Sequence, residues 1–143
     1  MILIDTDHFS ILTDARDALH GQLAARLKNC SEPLAIPVVS IEEQLRGWLA
    51  QVRRQTDVHK QIFPYDRLVR LLETLSQWEI ARWSQPAADE FKRLRKQRVR
   101  IGTQDLKIAA IAIVHDARLL SANLRDFEQV PGLRVEDWLH GLP

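Results

Sequence analysis

Short apolar runs alternate along this chain with longer stretches in which apolar residues recur at helical spacing. Met1–Ile4, Leu34–Val39, Trp78–Trp83 and Arg118–Ala122 have the length and composition of strands, and the first two are continuous enough for burial on both faces. Leu133–Val135 follows the Pro131-Gly132 break and predicts a short edge strand, with Glu136–Leu142 closing the fold. Helical spacing fills the intervals. His8–Leu12 begins one helix, and Asp17–Leu27 carries Leu19, Leu23, Ala24 and Leu27 on one face. Another helix opens at Ser40 and runs toward Arg54, and Asp66–Ser76 aligns Leu68, Leu71, Leu72 and Leu75. Gln85-Pro86 starts a further helix, because proline suits a first turn, with Ala87, Ala88, Phe91 and Leu94 inward. Pro37 predicts a bend or an unpaired position. Strands that alternate with helices end to end predict an α/β layered domain with a mainly parallel sheet of about four or five strands.

The stretch Ile101–Val114 sharpens this picture. Gly102 breaks the preceding run, Thr103 is a good N-cap, and Leu106–Val114 is apolar except for Lys107. A helix this apolar is buried on most of its surface, against the sheet. Its first turn nevertheless carries Asp105, which the positive helix end favours and which sits at the rim of the core.

Composition adds bounds. A chain of 143 residues suits one domain over residues 1–143, with 45% hydrophobic and 27% charged residues. The net charge of +1 gives no global pull toward nucleic acid, so any such binding needs a local basic patch. Cys30 is the sole cysteine, which rules out an internal disulfide and fits a reducing compartment. The apolar start is too short for a signal peptide or a membrane span, and a cytoplasmic protein with no membrane partner is expected.

Four acids share one kind of place. Asp5 ends the first strand, Glu43 lies early in the helix after the second, Asp105 starts the apolar helix, and Asp126 follows the fourth strand. In a parallel sheet such turns line the carboxyl edge, where ligands bind. Each has a plainer explanation: Ser40-x-x-Glu43 as a capping box, Asn123-x-x-Asp126 as a cap, Asp105 as a dipole partner, Asp5 as a turn residue. Together they repel one another and need a counter-charge. Oxygen ligands suit Mg²⁺ or Mn²⁺, and an acidic site without cysteine or a histidine set points to phosphate chemistry.

Four segments in order resemble the PIN-domain family, and within it the VapC-type ribonuclease toxins: Ile4-Asp5-Thr6-Asp7, Val39–Gly47, Ile101–Ala110, and Ser121–Phe127 followed by Val130–Leu133. The resemblance implies a three-layer α/β/α PIN-like fold. It also implies a Mg²⁺- or Mn²⁺-dependent endoribonuclease that leaves 5′-phosphate and 3′-hydroxyl ends. Such a toxin is usually a homodimer and is made beside a small inhibitory antitoxin. Asp5, Glu43 and Asp105 match the three central acids; Glu43 rather than Glu42 lies four residues before Gly47. Asp126 fits the acid before Phe127, with Asn123 as an alternative fourth position or a supporting partner. Asp7 stands where asparagine is common. Gln51–Trp83 carries no diagnostic motif.

Thr6, Ser40, Thr103 and Ser121 could bond phosphate, orient an acid or merely cap helices. The basic run Lys92, Arg93, Arg95, Lys96, Arg98, Arg100 leads toward Asp105 and is a candidate RNA contact, with Arg46 and Lys107; its plainer meaning is a solvated face. Four tryptophans fit core or interface positions, with base stacking as an alternative, and five scattered histidines receive no role. The apolar helices between Leu19 and Leu75 supply an interface or only a core. Two other functions compete. Ile2-Leu-Ile-Asp5-Thr-Asp7 resembles the opening of haloacid-dehalogenase-type phosphatases, with Asp5 as nucleophile, but the matching lysine and late acidic pair are missing. A non-catalytic protein of the same fold that binds RNA or an antitoxin is the other.

Overall fold

The computed structural model describes residues 1–140. The elements run β1 (Ile2–Ile4), α1 (Thr6–Thr13), α2 (His20–Lys28), β2 (Leu34–Pro37), α3 (Val38–Arg54) and α4 (Ile62–Leu75). They continue with β3 (Glu79–Ala81), α5 (Gln85–Lys96), α6 (Thr103–Val114), β4 (Arg118–Leu120), α7 (Leu124–Phe127) and β5 (Arg134–Glu136). The five strands form one sheet in the order β3-β2-β1-β4-β5, and every pairing is parallel. The expected α/β/α layering is therefore observed. β1 lies at the centre, with Leu3 opposite Ala35 on one side and Leu119 on the other.

Alternation along the strands divides the core into two layers. Leu3, Ala35 and Leu119 face α5 and α6, where Leu94, Leu106, Ile108 and Ile111 are wholly or almost wholly buried. Ile2, Ile4, Ile36 and Leu120 face the other way, against Phe9, Leu23, Leu71 and Trp138. α6 is buried along most of its length, as its composition required. Among the described residues, no helix is long and apolar enough to cross a membrane.

Several boundaries differ from expectation, and local chemistry explains them. α1 starts at Thr6 rather than near His8, because Asp5 is extended (φ −75°, ψ 167°) and caps the helix by accepting from the Thr6 N–H. β2 stops at Pro37, which takes the capping position of α3, so that helix starts at Val38 and not at Ser40. α2 starts later than Asp17, since Asp14 and Asp17 fold the preceding residues into turns by accepting from the N–H groups of Arg16 and Leu19. α4 starts at Ile62, with Pro64 inside a first turn where its missing N–H costs nothing. Residues 141 and 142 of the expected closing segment lie outside the described residues.

Candidate active site

The carboxyl ends of β1, β2 and β4 and the starts of α1, α3, α6 and α7 meet at one edge of the sheet. Asp5 is 6% exposed, and both of its oxygens are held. Oδ1 accepts from the Thr6 N–H at 2.7 Å and the Ser40 hydroxyl at 3.2 Å, and Oδ2 from the Ser121 hydroxyl at 2.8 Å. Ser40 is therefore no helix cap, and the capping box offered as the plainer explanation of Glu43 does not form. It lies within the first turn of α3 and turns its hydroxyl to Asp5, while Glu43 Oε2 accepts from the Thr6 hydroxyl at 3.0 Å. Asn123 precedes α7, yet its side chain does not cap that helix. Its amide nitrogen donates to Asp105 Oδ2 and to Asp126 Oδ2, each at 3.1 Å. One neutral group thus bridges two acids that are 21 residues apart in the chain, residues 105 and 126.

The match to the PIN domain family model runs over residues 2–133. The chain belongs to the PIN-domain family. The ribonuclease VapC1 of Rickettsia felis is 52% identical over 42 residues, which cover 29% of this chain and 31% of that protein. The matched part is thus about a third of the curated relative's length. A chain in the crystal structure of VapBC2 from Rickettsia felis, bound to a DNA fragment from its promoter, superposes with a TM-score of 0.73 at 25% identity, covering 96% of this chain and 99% of that one. A toxin-antitoxin complex from Klebsiella pneumoniae gives a TM-score of 0.67 at 24% identity over 96% and 98% of the two chains.

In this PIN domain the acids load one another electrostatically. Burial pushes the Asp5 carboxyl up, and the Asp7 charge adds to it. Glu43 is raised, chiefly by burial; the Thr6 hydrogen bond works against the rise, and the charges of Asp5, Asp105 and Glu42 add to it. Asp105 is raised by burial and then by Asp5 and Asp126. Asp7 behaves differently: burial works against its charge, but the His8 side chain and the N–H groups of Ala122 and His8 hold it below its ordinary value. Among the described residues, no lysine or arginine pairs with Asp5, Glu43, Asp105 or Asp126.

That donor set fits a hard divalent cation: carboxylate oxygens, no sulfur, and an unmet need for positive charge. Among the described residues, no three or more histidine, cysteine, aspartate or glutamate side chains stand close enough together, as they are placed, to hold a metal ion. Thr6 and Asn123 occupy carboxylate oxygens that a cation would compete for.

The remaining candidates divide. Thr6 and Asn123 bond the acids directly, and Asp7 adjoins Asp5 by way of the Ser121 hydroxyl. Thr103 is the exposed first residue of α6, with Gly102 in the capping position, so the expected cap is not made. Arg46 is paired with Glu42 at 2.6 Å, and Gln104 donates to the same carboxylate. Lys107 lies over the Trp83 ring, 5.8 Å from its centroid. Lys92, Arg95, Arg98 and Arg100 are exposed on α5 and on the turn that leads into α6. The tryptophans are mostly packing groups: Trp78 meets Phe9 edge-on, and Trp138 is buried. His8 was given no role by sequence reasoning, yet it is fully buried against Asp7. The available signal was its place one residue after that acid, on the strand-to-helix turn.

Proposed function

We propose that this protein is a Mg²⁺- or Mn²⁺-dependent endoribonuclease and the toxin of a type II toxin-antitoxin pair. The observation that carries the reading is the convergence of Asp5, Glu43, Asp105 and Asp126 at the carboxyl edge without a cationic side chain of their own. These four residues would hold the cation. When bound, it would supply the missing positive charge and Lewis acidity toward water and phosphate oxygens. The chain's own groups then do the positioning. Thr6, Ser40 and Ser121 fix the Asp5 rotamer, and Asn123 sets Asp105 and Asp126 relative to each other. Lys92, Arg95, Arg98 and Arg100, exposed on α5 and the turn after it, would neutralise backbone phosphates of RNA, with Lys107 and Arg46 close in sequence to Asp105 and Glu43.

A protein partner accounts for surfaces that the monomer leaves open. Ile62, Tyr65, Val69 and Leu72 form a helical stripe on α4, and each is more than half exposed. A groove of about 690 Å³ runs along the outer face of α3 past Val38, Ile41, Leu45 and Leu49. An antitoxin and a second copy of the chain are the occupants that the resemblance implies, within a cytoplasmic setting. The phosphatase reading gains nothing here, since Asp5 is buried with both oxygens engaged, unlike an accessible nucleophile.

The test is incubation of pure protein with structured RNAs, tRNA included, with Mg²⁺, Mn²⁺ or EDTA, beside an Asp5→Asn, Asp105→Asn variant. Discrete cleavage that needs metal and is lost in the variant supports the nuclease. Folded protein that binds metal and cleaves no RNA in the panel refutes a general nuclease and leaves the binding role.

A further inference from the structure

The geometry points to His8 as a positioning residue for this acid site, anchored by the segment 137–139 near the far end of the chain. His8 lies in α1 and is 0% exposed, yet both ring nitrogens are engaged. Nε2 receives the backbone N–H of Trp138 at 3.0 Å. A backbone N–H can only donate, so Nε2 carries no hydrogen and Nδ1 carries the ring's proton. Nδ1–H meets Asp7 Oδ1 at 2.6 Å, where the His8 backbone N–H also donates at 2.6 Å. The other Asp7 oxygen accepts from the Ala122 N–H at 2.8 Å and lies 3.4 Å from the Ser121 hydroxyl. Ser121 gives its single hydrogen to Asp5 over the shorter distance, 2.8 Å, and accepts from the Asn123 N–H at 3.1 Å.

A continuous path results. It runs from the Trp138 backbone through the His8 ring to Asp7, then to the turn of residues 121–123, and from there to Asp5 and to the Asn123 amide between Asp105 and Asp126. The anchor itself is firmly held. Trp138 and Leu139 are each 5% exposed, the Arg26 guanidinium lies 4.0 Å from the Trp138 ring centroid, and the indole N–H donates to Glu136. Asp137 Oδ1 accepts from the N–H groups of Leu139 and His140, and stands 3.7 Å from His8 Nε2, beyond hydrogen-bond reach. The ring of His8 thus fixes the Asp7 rotamer, and Asp7 pins the turn that presents Asn123. In its activity readout this assignment rests on the nuclease reading; in its structural readout it does not.

The experiment compares His8→Leu, His8→Asn and Asp7→Ala in full-length protein. Leucine fills the space without polar contacts. Asparagine places an N–H where Nδ1 stands but does not reach Trp138. The measurements are the melting temperature, the side-chain amide ¹⁵N resonances of Asn123 in metal-free protein (assigned by their loss in Asn123→Ser), and kcat and KM on a cleaved RNA. In His8→Leu the Asn123 resonances should shift or broaden, and kcat should fall at least about tenfold with KM within about twofold. His8→Asn should recover the wild-type resonances and most of kcat, even though it melts low like the leucine variant. If His8→Leu lowers only the melting temperature and leaves the Asn123 resonances and kcat at wild-type values, the assignment is overturned. Should His8→Leu fail to fold, Asp7→Ala decides: undisturbed Asn123 resonances there overturn it equally. If the wild-type protein cleaves no RNA, or Asp5→Asn cleaves as well as wild type, the nuclease reading fails while the amide resonances still decide the role of His8.

Discussion

Neutralising Asp105 should stabilise the metal-free protein. Asp105 Oδ2 and Asp126 Oδ2 both accept from one nitrogen at 3.1 Å, so the two oxygens are at most about 6.2 Å apart, twice that bond length. Two unit charges at that distance repel by about 2.7 kcal/mol at an effective dielectric constant of about 20. Asp105 is only half-buried, and solvent screening reduces this to about 1 kcal/mol. In Asp105→Asn the amide oxygen still accepts from Asn123, and the loss of charge assistance returns about 0.5 kcal/mol. The net gain is about 0.5 kcal/mol, or about 2 °C in Tm for a domain of this size. The sign depends on pH. The Asp105 pKa is raised by burial and by Asp5 and Asp126, so the folded state binds its proton more readily than the unfolded chain does. Wild-type stability is therefore lost as pH rises through the raised value, and the Asn variant escapes that loss. Calorimetry in EDTA should show the variant melting higher near neutral pH and the difference closing on acidification below the ordinary carboxylate range. Mg²⁺ should reverse the order, since it binds the wild-type acids more tightly and stabilises by mass action. A variant that melts at or below the wild-type temperature in EDTA at neutral pH would refute the charge-repulsion account.

Other expectations follow from named contacts. Ser121→Ala removes a fully buried hydroxyl bonded to the Asp5 carboxylate and should cost about 1.5–3 kcal/mol by urea denaturation. Gly132 has φ +81° with open space around a Cβ, so Gly132→Ala should cost about 1 kcal/mol from backbone conformation alone; an unchanged denaturation midpoint would contradict this. Phe127→Ala empties a fully buried site beneath α6 and should cost about 3–5 kcal/mol in the same assay. Replacing Lys92, Arg95, Arg98 and Arg100 by serine should weaken RNA binding and reduce the slope of log K against log salt by about 0.7 for each phosphate no longer neutralised. An unchanged slope would mark the basic run as a solvated face.

The layered fold was legible because burial on both faces leaves a direct trace: β1 and α6 are nearly pure apolar runs, and nothing but a covered sheet accommodates both. The acids were legible as a set because each follows a strand or opens a helix. What the sequence concealed were contacts set by three-dimensional closure. Ser40 and Glu43 carry the spacing of a capping box, but Pro37 starts the helix early and frees both side chains for Asp5 and Thr6. Thr103 looked like a cap because threonine usually is one, whereas Gly102 takes the position. Asn123 has the spacing of a cap, and only the folded turn shows its amide between Asp105 and Asp126. His8 escaped notice because the Trp138 N–H that its ring accepts, and the Ala122 N–H held by its partner Asp7, are remote in sequence.

The central place of β1 bears on how the molecule comes into being. Asp5 is made well before Ser121, yet its carboxylate is completed by Ser121, and its strand gains its second neighbour only with Arg118–Leu120. A growing chain that stops short of these residues has no partner for one side of β1 and no Asn123 to span Asp105 and Asp126. At about 5–20 residues per second, synthesis leaves several seconds in which the early acids exist and the site does not. The order of strands in the sheet thus works as a built-in delay: the site cannot assemble on a nascent chain until nearly the whole domain has left the ribosome.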